Sequence, residues 1–299
     1  MIRPTHAPNL RQASNVEGMS RGRDALVWLA PEAAGDTELF DSIARFRIGE
    51  VDFHCSCDER ASVRSVSGRF YIRKDRCLVE EYVSVLDGFQ GGNIVELGIA
   101  EGGSVALTTL VAAPRKLVGL ELDENRVRAL DELIESREAT YRIRPYYGVD
   151  QADRARLRAI IDDEFTGGPL DLVVDDASHL LAQTRASFET LFPRLRPGGL
   201  FLIEDWNHQH LWNRWLAAAL ADPESPVHAE VERKLAEGAV EPPLTRLVIE
   251  LLLAQAESDE HLSSVAAGPH WVAIRRAGGP LDPATFRVSD LYTDDMGLL

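Results

Sequence analysis

The sequence predicts an α/β domain built on a doubly wound parallel sheet, and three observations support this class. From residue 93 onward, short strand-like apolar runs alternate with longer segments whose apolar residues recur at helical spacing. This alternation is typical of a parallel sheet that helices cover on both faces. The chain has 299 residues and is 45% hydrophobic, which is enough for one large core and a smaller appendage.

The strands and helices of this domain follow one another in a regular order. We predict five strands, at residues 93–97, 116–120, 140–147, 171–175 and 200–204. We predict four helices in the gaps between these strands, at residues 104–113, 124–137, 152–165 and 181–195. Pro197, Gly198 and Gly199 are expected to end the fourth helix and to turn the chain into the fifth strand.

The regular order stops after the fifth strand. Residues 207–258 read as two or three helices separated by DPESP and GAVEPP, and this segment is too long for an ordinary connection, so we predict a helical lid or substrate-binding insertion. HLSSVAA and HWVAIRRA then predict an antiparallel hairpin at the sheet edge. We interpret residues 1–90 as a substrate-side or interaction extension with one small β element, and residues 91–299 as the main domain.

The charge of the chain limits its partners. The net charge is −16, which disfavours nucleic acid because its phosphates would be repelled. Residues 204–260 contain twelve acids and four bases, a balance of −8; such helices are either solvated or attract a cationic ligand. The N-terminal segment lacks the apolar part of a secretory signal, and no apolar run could span a bilayer. We therefore expect a cytoplasmic protein without a membrane partner, and the sequence leaves a homo-oligomer open.

The three cysteines do not predict a disulfide framework, because their number is odd and their spacing irregular. His54, Cys55, Cys57 and Cys77 are of the types that bind zinc. The sequence HCSC lacks the two-residue gap that lets a pair of thiolates bind one ion, so we expect no zinc there.

A glycine-rich turn, VELGIAEGGS, follows the first strand and precedes a helix. Glycines at this place allow a tight turn and close approach to a cofactor, and the helix offers its N-terminus. Ala100 stands where the dinucleotide fingerprint has its second glycine, and Glu96 would oppose a pyrophosphate but suit a cationic amino-acid cofactor. Glu121, after the second strand, is placed to accept hydrogen bonds from ribose hydroxyls. An NAD-dependent oxidoreductase is the competing interpretation.

Residues 93–276 resemble class I S-adenosylmethionine-dependent methyltransferases, in which an acid, one residue and a glycine open a glycine-rich turn and a second acid ends the next strand. The resemblance implies a Rossmann-like seven-stranded sheet in the order 3-2-1-4-5-7-6 and S-adenosylmethionine as cofactor. It implies cofactor contacts from Glu96, Gly98, Gly102, Ser104, Glu121, Asp150, Gln151 and Asp175. Asp150 is equally well explained as a helix cap.

The stretch LVVDDASH places two acids and a histidine after the fourth strand. Ligands bind beyond the carboxyl ends of the strands in such sheets, so Asp176 and His179 should emerge beside the cofactor's sulfonium. Glu204 and Asp205 follow the neighbouring fifth strand and should converge with Asp176. Three clustered carboxylates repel one another unless a positive group lies among them, and either Mg²⁺ or an ammonium group of the substrate would serve.

This stretch is similar to sugar methyltransferases of antibiotic biosynthesis, which carry a DD-x-SH motif and a later acidic pair. The resemblance implies that Asp176, Glu204 and Asp205 bind a metal or the substrate amine, and that His179 is the general base. Asp175 and Asp176 complete the predicted catalytic set. An imidazole takes up a proton near neutral pH, as methyl transfer requires, although His179 could also serve only as a helix cap.

The substrate is predicted from the acidity of the chain. It favours N-methylation of an amino sugar in an aminoglycoside of the gentamicin type. The alternatives are metal-dependent O-methylation of a macrolide-type deoxysugar and a catalytically silent partner subunit. Such a subunit would be expected to lose the acids of DDASH or IEDW, and this chain has both.

Overall fold

The computed structural model describes residues 24–30, 43–57, 63–210, 214, 221, 222, 228 and 242–293. Within this part of the chain there are two β-sheets, a small one near the N-terminus and a large one that carries the site. No helix among these residues has both the length and the apolar character needed to cross a membrane.

The small sheet has four strands in chain order: β1 (Leu26–Trp28), β2 (Ala44–Ile48), β3 (Val51–Cys55) and β4 (Arg69–Ile72). The first three pair antiparallel and β4 runs parallel to β3. The small β element predicted in this region is confirmed. Helix α1 (Arg76–Asp87) follows, and it begins where the Asp75 carboxylate accepts a hydrogen bond from the Leu78 backbone N–H at 2.7 Å.

The large sheet has seven strands: β5 (Asn93–Leu97), β6 (Lys116–Leu120), β7 (Ile143–Tyr146), β8 (Leu170–Asp175), β9 (Leu195–Glu204), β10 (Leu262–Ala267) and β11 (Trp271–Arg276). They lie in the order β7-β6-β5-β8-β9-β11-β10, which reads 3-2-1-4-5-7-6 when the strands are numbered within this sheet. β5 to β9 are mutually parallel, and β11 is antiparallel to β9. The predicted antiparallel hairpin is confirmed as β10 and β11.

In the described ranges, five helices accompany the large sheet: α2 (Gly103–Ala112), α3 (Arg128–Ser136), α4 (Arg154–Glu164), α5 (Leu181–Leu191) and α6 (Thr245–Glu257). The helix predicted at the end of the insertion is confirmed as α6. Most of the remaining insertion, between residues 211 and 241, lies outside the described residues.

The predicted end of the fourth helix is wrong. Pro197 to Gly199 do not end the fourth helix: α5 ends at Leu191, one turn of 3₁₀ helix follows, and these three residues lie inside β9. Gly198 has φ +77°, a conformation that glycine adopts without strain. The pairing of β8 with β9 shifts register nearby, so the glycine-rich segment forms an irregularity within the strand.

Two hydrophobic clusters cover the opposite faces of the large sheet. One contains Val95 and Val173 with α4, α5 and α6. The other contains Ile94 and Leu202, and Phe53 of the small sheet belongs to the same cluster. The extension and the main domain, which we separated at residue 90, are therefore joined by one continuous core.

Candidate active site

A cleft of about 320 Å³ opens where the parallel strands of the large sheet end. Its wall includes Gly98 after β5, Asp176 after β8 and Asp205 after β9. Residues 71–74 of the extension close another side. The cleft thus lies at the carboxyl edge of the sheet, where doubly wound folds bind their ligands.

The glycine-rich turn forms one wall of this cleft. Gly98 has φ +92°, and a Cβ atom at this position would collide with the backbone carbonyl oxygen of Asp176. Ala100 also has a positive φ, +44°. The Glu121 carboxylate accepts hydrogen bonds from the Ile99 and Ala100 backbone N–H groups, each at 2.8 Å. Glu121, predicted to bind ribose, therefore also fixes the shape of the turn.

The other residues predicted on this side occupy different depths. Gly102, with φ +79°, precedes the first turn of α2, and Ser104 in that turn lines the cleft. Glu96 is fully buried below the turn and accepts a hydrogen bond from the Thr108 hydroxyl at 3.2 Å. Burial raises the pKa of Glu96 to about 7.

Asp175 lies among polar groups inside the domain. The Gln151 side-chain amide donates to both of its oxygens at 3.1 Å, and the Ser187 hydroxyl donates at 2.5 Å. The side-chain oxygen of Gln151, Oε1, accepts a hydrogen bond from the Ser178 backbone N–H at 2.9 Å. Burial raises the pKa of Asp175 to about 7. In place of the catalytic position expected from the sequence, the Asp175 carboxylate holds the loop after β8, because buried packing turns it inward.

Asp150 is exposed and accepts a hydrogen bond from the Ala152 backbone N–H at 2.8 Å. The cap of α4 is Asp153, three residues further on. Asp150 therefore closes the turn before the helix and is not the helix cap itself.

His179 lies between two carboxylates at the mouth of the cleft. Its Nε2 atom is 4.0 Å from Asp176 Oδ1 and 3.9 Å from Asp205 Oδ2. These separations are too long for hydrogen bonds, so the nitrogen is free to contact a ligand while both charges act on the ring. His179 and Asp205 have φ values of +57° and +49°, a left-handed conformation that costs about 1–2 kcal/mol per residue.

Lys74 lies between two of the three predicted acids. Its Nζ atom lies 2.6 Å from Glu204 Oε2 and 2.9 Å from Asp176 Oδ2. The side chains of Lys74 and Glu204 are only 2% and 3% exposed. Burial acts to lower the pKa of Lys74, but the two carboxylates outweigh it and raise the pKa above its ordinary value. The lysine is therefore an ammonium group that bridges the ends of β8 and β9.

The magnesium site predicted from the sequence stays a prediction, and the structure places Lys74 beside two of its three carboxylates. The Glu204 carboxylate is bound to Lys74. The ligand atoms that lie within 4.8 Å of one another belong to Asp176, His179 and Asp205. Magnesium prefers an octahedron of oxygen ligands, whereas this group offers an imidazole, and Asp176 already shares one oxygen with the lysine. A set of three carboxylates open to a metal is not assembled in the described part of the chain.

Sequence reasoning missed Lys74, which lies in the extension where no chemistry was expected. The available signal was the charge of the cluster itself. Three converging carboxylates require a positive group, and only a metal and a substrate amine were considered for that place. A lysine of the same chain, in the segment YIRKD just before α1, satisfies the same requirement.

The comparisons with known proteins concern the part of the chain that forms the strand-end cleft. Residues 95–206 match the family model described as a methyltransferase domain.

Within that class the chain is similar to two curated enzymes. One is the 8-demethyl-8-alpha-L-rhamnosyl tetracenomycin-C 2'-O-methyltransferase of Streptomyces olivaceus, 52% identical over 56 residues, which are 19% of this chain and 14% of that protein. The other is the mycinamicin VI 2''-O-methyltransferase of Micromonospora griseorubida, 45% identical over 74 residues, 20% of this chain and 18% of that protein. The similarity thus spans less than a fifth of either relative's length.

A solved structure, the MycE methyltransferase from the mycinamycin biosynthetic pathway in complex with Mg and SAH, aligns with 69% of this chain and 50% of its own. The identity is 23% and the TM-score is 0.46. The reported relatives are O-methyltransferases, and none of them is an aminoglycoside or gentamicin enzyme.

Proposed function

We propose that this protein is an S-adenosylmethionine-dependent O-methyltransferase that methylates a sugar hydroxyl of a glycosylated, antibiotic-type natural product. The observation that carries the proposal is the position of His179, whose Nε2 atom faces the cleft between Asp176 and Asp205. The similarity to sugar O-methyltransferases supports the choice of substrate class.

The cleft fits the methyl donor because the glycine-rich turn and the first turn of α2 line it, with Gly98, Ala100 and Ser104 on its wall. Bound S-adenosylmethionine supplies an electrophilic methyl group on a sulfonium. Ser104 and the backbone of the turn are the contacts that would hold it, and Glu121 keeps that turn in shape. The buried Glu96 carboxyl accepts a hydrogen bond from Thr108 of α2 and so stabilises the contact between β5 and this helix.

His179 removes the proton that the substrate hydroxyl loses as its oxygen attacks the methyl carbon in line with the bond to sulfur. The imidazolium that forms lies about 4 Å from two carboxylates, which stabilise its charge. Asp176 and Asp205 stabilise the imidazolium until it releases its proton to solvent. The residues of this chain thus orient the hydroxyl and remove one proton.

The charge balance of the site favours a hydroxyl over the amine that we expected from the sequence. Three free carboxylates would attract a substrate ammonium group strongly. Lys74 already neutralises part of this charge, and among the residues that the structure describes, Asp205 and one oxygen of Asp176 are the acidic groups paired with His179. The need for a cationic substrate is correspondingly smaller.

The test is a transfer assay with purified full-length protein and S-adenosylmethionine that carries a deuterated methyl group. One set of acceptors contains glycosides of neutral deoxysugars, and a matched set contains gentamicin-type aminoglycosides. We expect the label on a hydroxyl of the first set, located by tandem mass spectrometry. Label only on amines of the second set would replace this proposal with N-methylation, and tight cofactor binding without transfer to either set would favour the silent subunit.

A further inference from the structure

We propose that Lys74 is a built-in cation that takes the place of a divalent metal at this site, so that the protein works without magnesium. The inference rests on the proposed function, because it assigns the cleft to methyl transfer. It goes further in that it gives the N-terminal extension a defined part in the chemistry.

The position of the ammonium group is the first argument. Nζ lies 2.6 Å from one oxygen of Glu204 and 2.9 Å from one oxygen of Asp176. These two acids come from neighbouring parallel strands, β8 and β9, whose carboxyl ends meet at the cleft. A magnesium ion bound by the same oxygens would lie about 2.0–2.1 Å from each. Lysine and metal would therefore compete for the same place.

Burial is the second argument. Lys74 and Glu204 are almost completely excluded from solvent, and an isolated charge in such a place is costly. The ammonium also lies 4.8 Å from the centre of the Tyr82 ring, within the range of a cation–π contact. The ammonium charge is thus balanced by groups of the chain itself, and Glu204 uses one oxygen, Oε2, for this pair.

The third argument concerns the oxygen of Asp176 that the ion pair leaves free. Asp176 Oδ2 is bound to Lys74, and its other oxygen, Oδ1, faces His179 Nε2 at 4.0 Å. The lysine therefore fixes the carboxylate whose charge acts on the general base. Lys74 is a positioning residue: it acts on His179 through Asp176.

The first experiment uses the unmodified protein and needs no substrate. Full-length protein with bound S-adenosylhomocysteine is titrated with MgCl₂ in a calorimeter, and its melting temperature is followed with and without EDTA. We expect no saturable binding and no shift in melting temperature. Stoichiometric Mg²⁺ binding would overturn the proposal, and this measurement is independent of whether the substrate class is right.

The second experiment compares Lys74→Met with Lys116→Met. Lys116 forms an ion pair of 2.5 Å with Glu164 at the opposite end of the large sheet, so it is a matched control. Lys74→Met leaves three carboxylates without a cation. This variant should therefore bind Mg²⁺ and melt at a higher temperature in its presence, whereas Lys116→Met should not respond.

Activity gives a further readout with the glycoside acceptor. Loss of a base costs about 10²- to 10⁴-fold in rate. Because His179 itself remains, Lys74→Met should turn over more slowly by up to this factor, and Mg²⁺ should restore part of that rate. The parent should be insensitive to EDTA. A metal-free Lys74→Met protein with the parental rate would overturn the proposal. If the methionine variant does not fold, Lys74→Arg is used instead. It keeps the positive charge, so it tests whether a side-chain cation at this position supports turnover without Mg²⁺.

Discussion

Glu96→Gln should remove a pH-dependent loss of stability. The Glu96 carboxyl is fully buried below the glycine-rich turn, where the Thr108 hydroxyl donates to it. Burial raises its pKa from the ordinary value of 4.5 to about 7. The folded protein therefore binds a proton at pH values where the unfolded chain has released it. This contribution to stability is complete below pH 4.5 and is lost as the pH rises to 7.

The magnitude follows from the two pKa values. At pH 5 most of the contribution is still present, and at pH 8 it is gone. Each pH unit between the two pKa values is worth 1.36 kcal/mol, so the unfolding free energy of the parent should fall relative to that of Glu96→Gln by about 2.5 kcal/mol from pH 5 to pH 8. If the glutamine itself changes the unfolding free energy by a pH-independent amount, that amount cancels when pH 5 and pH 8 are compared.

The assay is urea unfolding of both proteins without cofactor at pH 5, 6, 7 and 8, with the free energy extrapolated to water. Glu164→Gln is the control. Although burial opposes the effect, hydrogen bonds from Lys116, Tyr146 and Arg144 lower the pKa of Glu164. Its contribution is therefore lost only at acid pH and should stay constant across this window. Parallel curves for the parent and Glu96→Gln would refute the reasoning.

Two further predictions concern the cleft. His179→Ala should lower kcat about 10²- to 10⁴-fold with little change in melting temperature or cofactor affinity, because its ring nitrogen makes no hydrogen bond to the nearby acids; kinetics beside calorimetry check this, and a parental kcat would exclude it as the base. Gly98→Ala should destabilise the protein by at least about 2 kcal/mol, since φ is positive and the new Cβ would collide with the Asp176 carbonyl oxygen. Gly167→Ala has open space around it and is the control; equal urea midpoints for the two variants would contradict the collision.

Local sequence signals predicted much of the large sheet. The strands at 93–97 and 116–120 are confirmed to the residue, because apolar runs bounded by turn residues leave little choice of register. The start of β9 was missed because Pro197 and its glycines resemble a turn, whereas the residues on either side of them, Leu195 and Leu200, pair with β8. Tertiary hydrogen bonds, which have no local signal, decide such a case.

The site was predicted in part for the same reason. The rule that ligands bind beyond the carboxyl ends of parallel strands placed Asp176, His179 and Asp205 together, as they are found. The direction of the Asp175 side chain depends on its packing against Gln151, and the partner of Glu204 lies 130 residues earlier in the chain. Neither contact follows from residue spacing.

The bridge from Lys74 to Asp176 and Glu204 restricts how this protein can be recombined. The acids lie within the segment that matches the methyltransferase model, whereas the lysine lies upstream of it. A chimaera joined near residue 90 would bring two paired acids into a host that must provide its own counter-charge. Substitutions of Asp176 or Glu204 should therefore occur together with a substitution of Lys74. Exchange of the matching segment alone would therefore separate the lysine from its two acids.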